Sequence, residues 1–148
     1  MSAPGKEDQL RRILYELQLM EGTANLLQQR LQLLNGAITE LRVSQQSLTD
    51  MKELKPDTPI LVPVGGGALI RAKAGSLEKV ILSVGAGVSV EMELSKALED
   101  VAKRLEEVEK SATAAEDQLS QVVAQMQAHQ ETGNRLQGEL QGEATSVR

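Results

Sequence analysis

Three kinds of residue in this chain invite a chemical reading. They are a lone histidine, His129; carboxylates clustered at Glu106, Glu107, Glu109 and at Glu116, Asp117; and two glycine-rich runs around Gly66 and Ala86. A histidine acting as general base or metal ligand needs a second polar group to fix it. On a helix, His129 shares its face with Gln125, Met126 and Gly133, which supply none. It reads as a polar residue tolerated in an apolar seam. The carboxylates fall mainly off that seam, as a solvated helix face does. The run Gly65-Gly66-Gly67-Ala68-Leu69-Ile70 lacks the Gly-Lys-Ser/Thr ending of a phosphate loop. Gly85-Ala86-Gly87-Val88-Ser89-Val90 lacks the last position of the dinucleotide fingerprint. Strand-like residues follow both runs, so no helix N-terminus stands ready for a phosphate. The glycines are turn residues. No catalytic set, cofactor site or metal site emerges, and the chain reads as non-enzymatic.

Composition narrows the classes further. Of 148 residues only Tyr15 is aromatic, whereas aromatic side chains normally dominate a thick core. The apolar content is Leu, Val, Ala and Ile, which suits a narrow helical seam. A net charge of -5 argues against nucleic acid as partner, because neutralising phosphates takes a basic face. The absence of cysteine removes disulfides and thiolate chemistry and is compatible with a reducing compartment. Lys6, Glu7, Asp8, Arg11, Arg12 and Glu16 interrupt any signal-peptide core. The longest uncharged run, Thr58 to Ile70, is broken by two prolines and three glycines, too short and too broken to span a bilayer. The expectation is a soluble, cytoplasmic protein without membrane contact.

The elements that carry these residues follow from periodicity. Between Lys6 and Lys55 there is no proline, and glycine occurs only at Gly22 and Gly36. Steps of three and four from Leu10 run through Ile13, Leu17, Met20, Ala24, Leu27, Leu31, Leu34, Ile38, Leu41, Gln45 and Leu48 to Lys52. Eleven of these thirteen sites are apolar. From Leu94 the same steps pass Leu98, Val101, Leu105, Val108, Ala112, Ala115, Leu119, Val122, Met126, His129 and Gly133 to Leu136 and Leu140. A 3.5-residue repeat held this long predicts two coiled-coil helices, over 7–55 and 93–147. Side-chain sizes match in an antiparallel pair with Leu34 opposite Ala112, Leu31 opposite Ala115 and Ala24 opposite Val122. A shift of one heptad either way satisfies the same pattern.

The middle, residues 56–92, holds Pro56, Pro59 and Pro63 and alternates apolar with polar residues between its glycines, which predicts two β-hairpins. Pro59 and Pro63 cannot donate to a ladder, so the first strand is expected to be an edge or to carry an unpaired side. Two isolated hairpins expose apolar faces and unpaired edges, and this chain has no further strands to cover them. The strands of other subunits must, so Leu61, Val62, Val64, Ile70, Val80, Leu82, Val84, Val88 and Val90 are the expected oligomerisation residues. The fold class is α+β: a long antiparallel coiled-coil hairpin whose helices are joined by two β-hairpins.

The plan resembles the prefoldin α class. Leu61-Val62-Pro63-Val64-Gly65-Gly66-Gly67 followed by Ile70-Arg71-Ala72 looks like that family's first hairpin. The stretch from Val80-Ile81-Leu82-Ser83-Val84-Gly85 through Ala86-Gly87-Val88-Ser89-Val90-Glu91 looks like its second. Two hairpins rather than one point to an α-class chain of archaeal type. The resemblance implies an ATP-independent holdase in a hetero-hexamer of two α and four prefoldin β subunits. Their hairpins form a barrel platform, and unfolded clients are held at the coiled-coil tips and passed to a group II chaperonin. For this chain the tip lies where both termini meet. There Leu10, Ile13, Leu14, Tyr15, Leu17, Leu19, Met20, Met126, Leu136 and Leu140 are the expected client-binding residues. His129, Gly133, Gly138 and Gly142 predict that this end frays, since glycine costs about 0.8–1.0 kcal/mol relative to alanine in a helix. A coiled-coil scaffold or tether is the alternative, and it has no need of two apolar hairpins.

Overall fold

The computed structural model describes residues 5–146. The element order is α1 (Lys6–Met51), β1 (Pro59–Gly65), β2 (Ala68–Lys73), β3 (Lys79–Gly85), β4 (Val88–Glu93) and α2 (Leu94–Ser146). The two helices, of 46 and 53 residues, measure about 70 and 80 Å at 1.5 Å per residue. The chain packs as two compact units. One joins the described residues up to Asn35 with those from Lys110 onward; the other is Gly36–Glu109.

The helices bury the stripe that the heptads mark. On α1 every seam site from Leu10 to Leu48 is buried or half-buried, and so is every seam site of α2 from Leu94 to Leu140. Lys52 is the exception. It is exposed and outside α1, because the helix ends four residues before Lys55. Lys52, Glu53 and Leu54 donate to the carbonyls of Thr49, Asp50 and Met51, each three residues back. Such a tightening commonly ends a helix, and here it precedes Pro56, which disfavours helical backbone at Lys55.

In the unit that carries the chain ends, α1 and α2 run antiparallel. A β-carbon on Gly133 would lie 3.5 Å from Ile13 Cγ2 and 3.8 Å from Leu10 Cδ1. That contact selects the alignment with Leu34 opposite Ala112 over its one-heptad alternatives, which would bring Lys6 or Met20 to Gly133. The expected fraying does not occur. α2 remains helical to Ser146, Gly133 is buried, and Leu136 is 5 % exposed. Ile13 and Leu10 pack across the seam toward Gly133, leaving room for no more than a β-carbon on their side, so the glycine does not break the helix pair.

In the other unit, Ala97 and Val101 are 0 % and 1 % exposed and Leu94 and Leu105 are buried beside them on α2. Each hairpin is a two-stranded antiparallel sheet, β1 with β2 and β3 with β4. The second repeats the first 20 residues later, with Ile60↔Ala72 and Val62↔Ile70 answered by Val80↔Met92 and Leu82↔Val90. Ala74 N–H donates to the Thr58 carbonyl at 2.9 Å, and Leu94 N–H to that of Glu78 at 3.0 Å, at matching places. Both turns use three left-handed residues. Gly65, Gly66 and Gly67 have φ of 101°, 58° and 81°; Gly85, Ala86 and Gly87 have 102°, 52° and 74°. Ala86 thus holds a conformation that disfavours any residue with a β-carbon.

Candidate functional site

In antiparallel pairing, directly opposed residues put their side chains on the same sheet face. Val62 with Ile70, and Leu82 with Val90, therefore form one apolar face on each hairpin. Val62, Val80 and Leu82 are half-buried, while Ile70, Val84, Val88 and Val90 are exposed. Leu61 pairs with Arg71, so the register sets it on the opposite face from Val62. Leu69 and Ile81 join that opposite face, and both are exposed. The strand pairing shows how apolar this second face is.

The second surface lies at the chain-end unit. Of the ten residues expected there, Leu10, Ile13, Leu17, Met20, Met126 and Leu140 are half-buried in the seam, and Leu136 is buried. Leu14, Tyr15 and Leu19 stand out, at 56 %, 62 % and 56 % exposure. The structure adds two residues that periodicity passed over. Leu26 and Leu33 follow Leu19 at intervals of seven and are 68 % and 77 % exposed. They occupy one repeating off-seam position, so a search for leucines at that spacing outside the seam would have found them. Gly133 also opens a groove of about 280 Å³ lined by Leu10, Leu14, Leu17, Gln130, Asn134 and Gln137.

Polar contacts hold this unit at its margin. Nε2 of His129 lies 2.6 Å from a Glu16 carboxylate oxygen, and Nδ1 lies 3.0 Å from the Gln125 carbonyl. Both neighbours are hydrogen-bond acceptors, one at each ring nitrogen. Arg12 Nε–H donates to the other Glu16 oxygen at 2.9 Å. Arg12 first, then His129, hold the Glu16 carboxyl below its ordinary range through these bonds. Lys6 donates to Glu143 and lies 3.5 Å from Glu139. The bond to Glu143 is the main cause of its raised pKa. The histidine has a carboxylate partner after all, supplied by the facing helix, where a single-helix reading could not see it. In the other unit Arg42 pairs with Glu109 at 2.9 Å.

Among the described residues no group of three His, Asp or Glu is placed to hold a metal. A groove of about 580 Å³ at the base of the hairpins is lined by Leu54, Pro56, Leu77 and Leu94 together with Lys52, Glu78, Lys79 and Glu93. No described helix is long and apolar enough to cross a membrane.

Comparison with known proteins gives a consistent result. Residues 20–139 match the prefoldin subunit family. The chain is 32% identical over 113 residues to the prefoldin subunit alpha of Methanopyrus kandleri, covering 76% of this chain and 72% of that one. With the prefoldin subunit alpha of Methanococcus aeolicus it shares 31% identity over 142 residues, covering 93% and 96%. Among solved structures, a chain of the filamentous PFD from Methanocaldococcus jannaschii superposes with a TM-score of 0.66 at 24% identity, over 77% of this chain and 94% of that one. The prefoldin beta subunit from Thermococcus strain KS-1 gives 0.54 at 18% identity, over 89% and 92%.

Proposed function

The chain belongs to the prefoldin family, and from that premise we propose that it is the α-type subunit of a hetero-oligomeric holdase. It assembles with prefoldin β subunits through its hairpins. Its coiled coil holds non-native proteins without ATP and hands them to a group II chaperonin in the cytosol. It performs no catalysis. The observation that carries this reading is the row Leu14, Tyr15, Leu19, Leu26 and Leu33, all more than half exposed on one helix. Leu19, Leu26 and Leu33 repeat at one position of the helix surface, and exposed apolar surface beyond single scattered residues marks an interaction site. Here it lies on a helix whose own backbone bonds are complete, so it offers contact without a fixed ladder. Leucine and methionine suit varied apolar partners, because they repack at low energy. A tether would use the seam alone and leave this outer face polar.

The test is light scattering from a chemically denatured client diluted into buffer with the chain and a β-class partner. Suppressed aggregation, unchanged by ATP or its removal, is the expected result. Aggregation as fast as in buffer alone, from a complex of correct mass, leaves the scaffold reading standing instead.

A further inference from the structure

The two flanks of the seam in the chain-end unit are finished differently. Glu16 precedes the seam site Leu17 and Leu14 follows the seam site Ile13, so the two stand on opposite flanks. On the Glu16 flank the helices are bridged by the contact with His129. On the Leu14 flank lies the open groove of about 280 Å³, and none of the ion-paired residues Lys6, Glu16, His129, Glu139 and Glu143 lines it. Its α1 wall is apolar, made of Leu10, Leu14 and Leu17. Its α2 wall carries three carboxamides, Gln130, Asn134 and Gln137. These follow one another by four and then three residues, so they stand in line on one face of α2. All three are exposed, and among the described residues none of their side chains has a hydrogen-bond partner. A leucine wall facing a row of unengaged amides, with no charge between, fits neither an ion nor a purely apolar ligand.

We propose that this groove is a subsite for an extended, uncharged peptide segment, whose main chain is held by Gln130, Asn134 and Gln137 while one apolar side chain rests on the leucines. Each carboxamide presents two N–H donors and an accepting oxygen, which complement the C=O and N–H of a peptide unit. Seven residues of helix separate Gln130 from Gln137, about 10.5 Å at 1.5 Å per residue. That is the reach of about three residues of extended chain at roughly 3.3 Å each. Alternation along such a segment turns one side chain onto Leu10, Leu14 and Leu17 and its two neighbours away. The space exceeds the roughly 150 Å³ that accepts a benzene ring, so an aliphatic side chain enters. A charged one does not, because the lining offers it no partner. Main-chain groups are common to every protein, and amides on flexible stems impose no register. The proposal rests on the reading of the chain-end unit as the client surface, and adds that it holds the client's peptide units as well as its apolar side chains.

The experiment titrates the full chain into an end-blocked peptide, Ser-Thr-Leu-Thr-Ser, with binding followed by NMR of the peptide. The original chain binds it saturably, and a peptide with Asp in place of Leu does not bind. N-methylation of the peptide at Leu and the following Thr removes two main-chain donors and keeps the apolar side chain. It weakens binding by at least about tenfold. Gln130→Ala, Asn134→Ala and Gln137→Ala together place a helix-favouring residue at three exposed sites, so circular dichroism is unchanged. This variant loses affinity for the plain peptide to a similar degree and no longer distinguishes the N-methylated one. A variant of original helicity that binds the plain peptide as tightly as the original chain overturns the proposal. So does an N-methylated peptide bound as well as the plain one, or an original chain that binds neither. The aggregation assay separates these failures from that of the proposed function: an original chain that still holds denatured client keeps that reading, and one that does not removes both.

Discussion

Both units expose apolar side chains, but on different backbones, and that difference suits them to different work. In the unit Gly36–Glu109 most of the exposed apolar residues, Val43 and Leu54 apart, lie on strands whose edges still have hydrogen bonds to make. A partner must satisfy a fixed ladder and register as well as cover the side chains. In the unit carrying the chain ends, Leu14, Leu19, Leu26 and Leu33 lie on α1, where the main chain is already paired. Nothing there dictates a register. The strand surface therefore suits one defined neighbour, and the helix surface suits many.

The largest expected effect comes from placing charge on the strand face. Leu82→Lys with Val90→Lys puts two cations on paired positions of one sheet face, at roughly 3–5 kcal/mol per uncompensated charge once a neighbour covers them. Light scattering with the β-class partner should show loss of the complex, with the helical signal largely kept. An intact complex would erase the distinction between the two surfaces. Next in size is Val101→Ala. Val101 is 1 % exposed, so the truncation should lower stability by about 1.5–3 kcal/mol, read as an earlier urea midpoint.

Smaller changes sharpen the comparison from within each unit. Ala86→Gly relieves the left-handed residue that the first hairpin already fills with Gly66, and should raise stability by about 0.5–1 kcal/mol. Gly133→Ala should stabilise the chain-end unit by a similar ~0.8 kcal/mol, since its β-carbon meets Ile13 and Leu10 at ordinary contact distance. Glu16→Gln has the smallest effect and an acid signature. The Glu16 carboxyl is held below its ordinary value of 4.5 by Arg12 and then His129. Its contribution is therefore present above that value and disappears as pH falls through the depressed one. Melting curves of the two proteins should differ at pH 5 and converge below the ordinary glutamate range.

Much of this was legible in the sequence, because the features involved are periodic. The 3.5-residue repeat located both helices and their buried stripe, and the alternation and turn glycines within 56–92 located the strands. What depended on a second element was not legible. Glu16 and His129 meet only when the helices are aligned. The role of Gly133 depends on Ile13 facing it, so its propensity alone predicted fraying that packing prevents. The early end of α1 arises from turn bonds at Lys52–Leu54 before Pro56, where the heptad count ran on. Leu26 and Leu33 were passed over because a search for one stripe takes the strongest and leaves the rest.

The division of labour is tested most directly by substituting the helix surface and reading both activities at once. Leu14→Ser, Tyr15→Ser and Leu19→Ser together alter only exposed side chains, so the seam and the hairpins are untouched. The account predicts a complex of unchanged mass and helicity that no longer suppresses client aggregation. Holding at the original stoichiometry by that triple variant would contradict it.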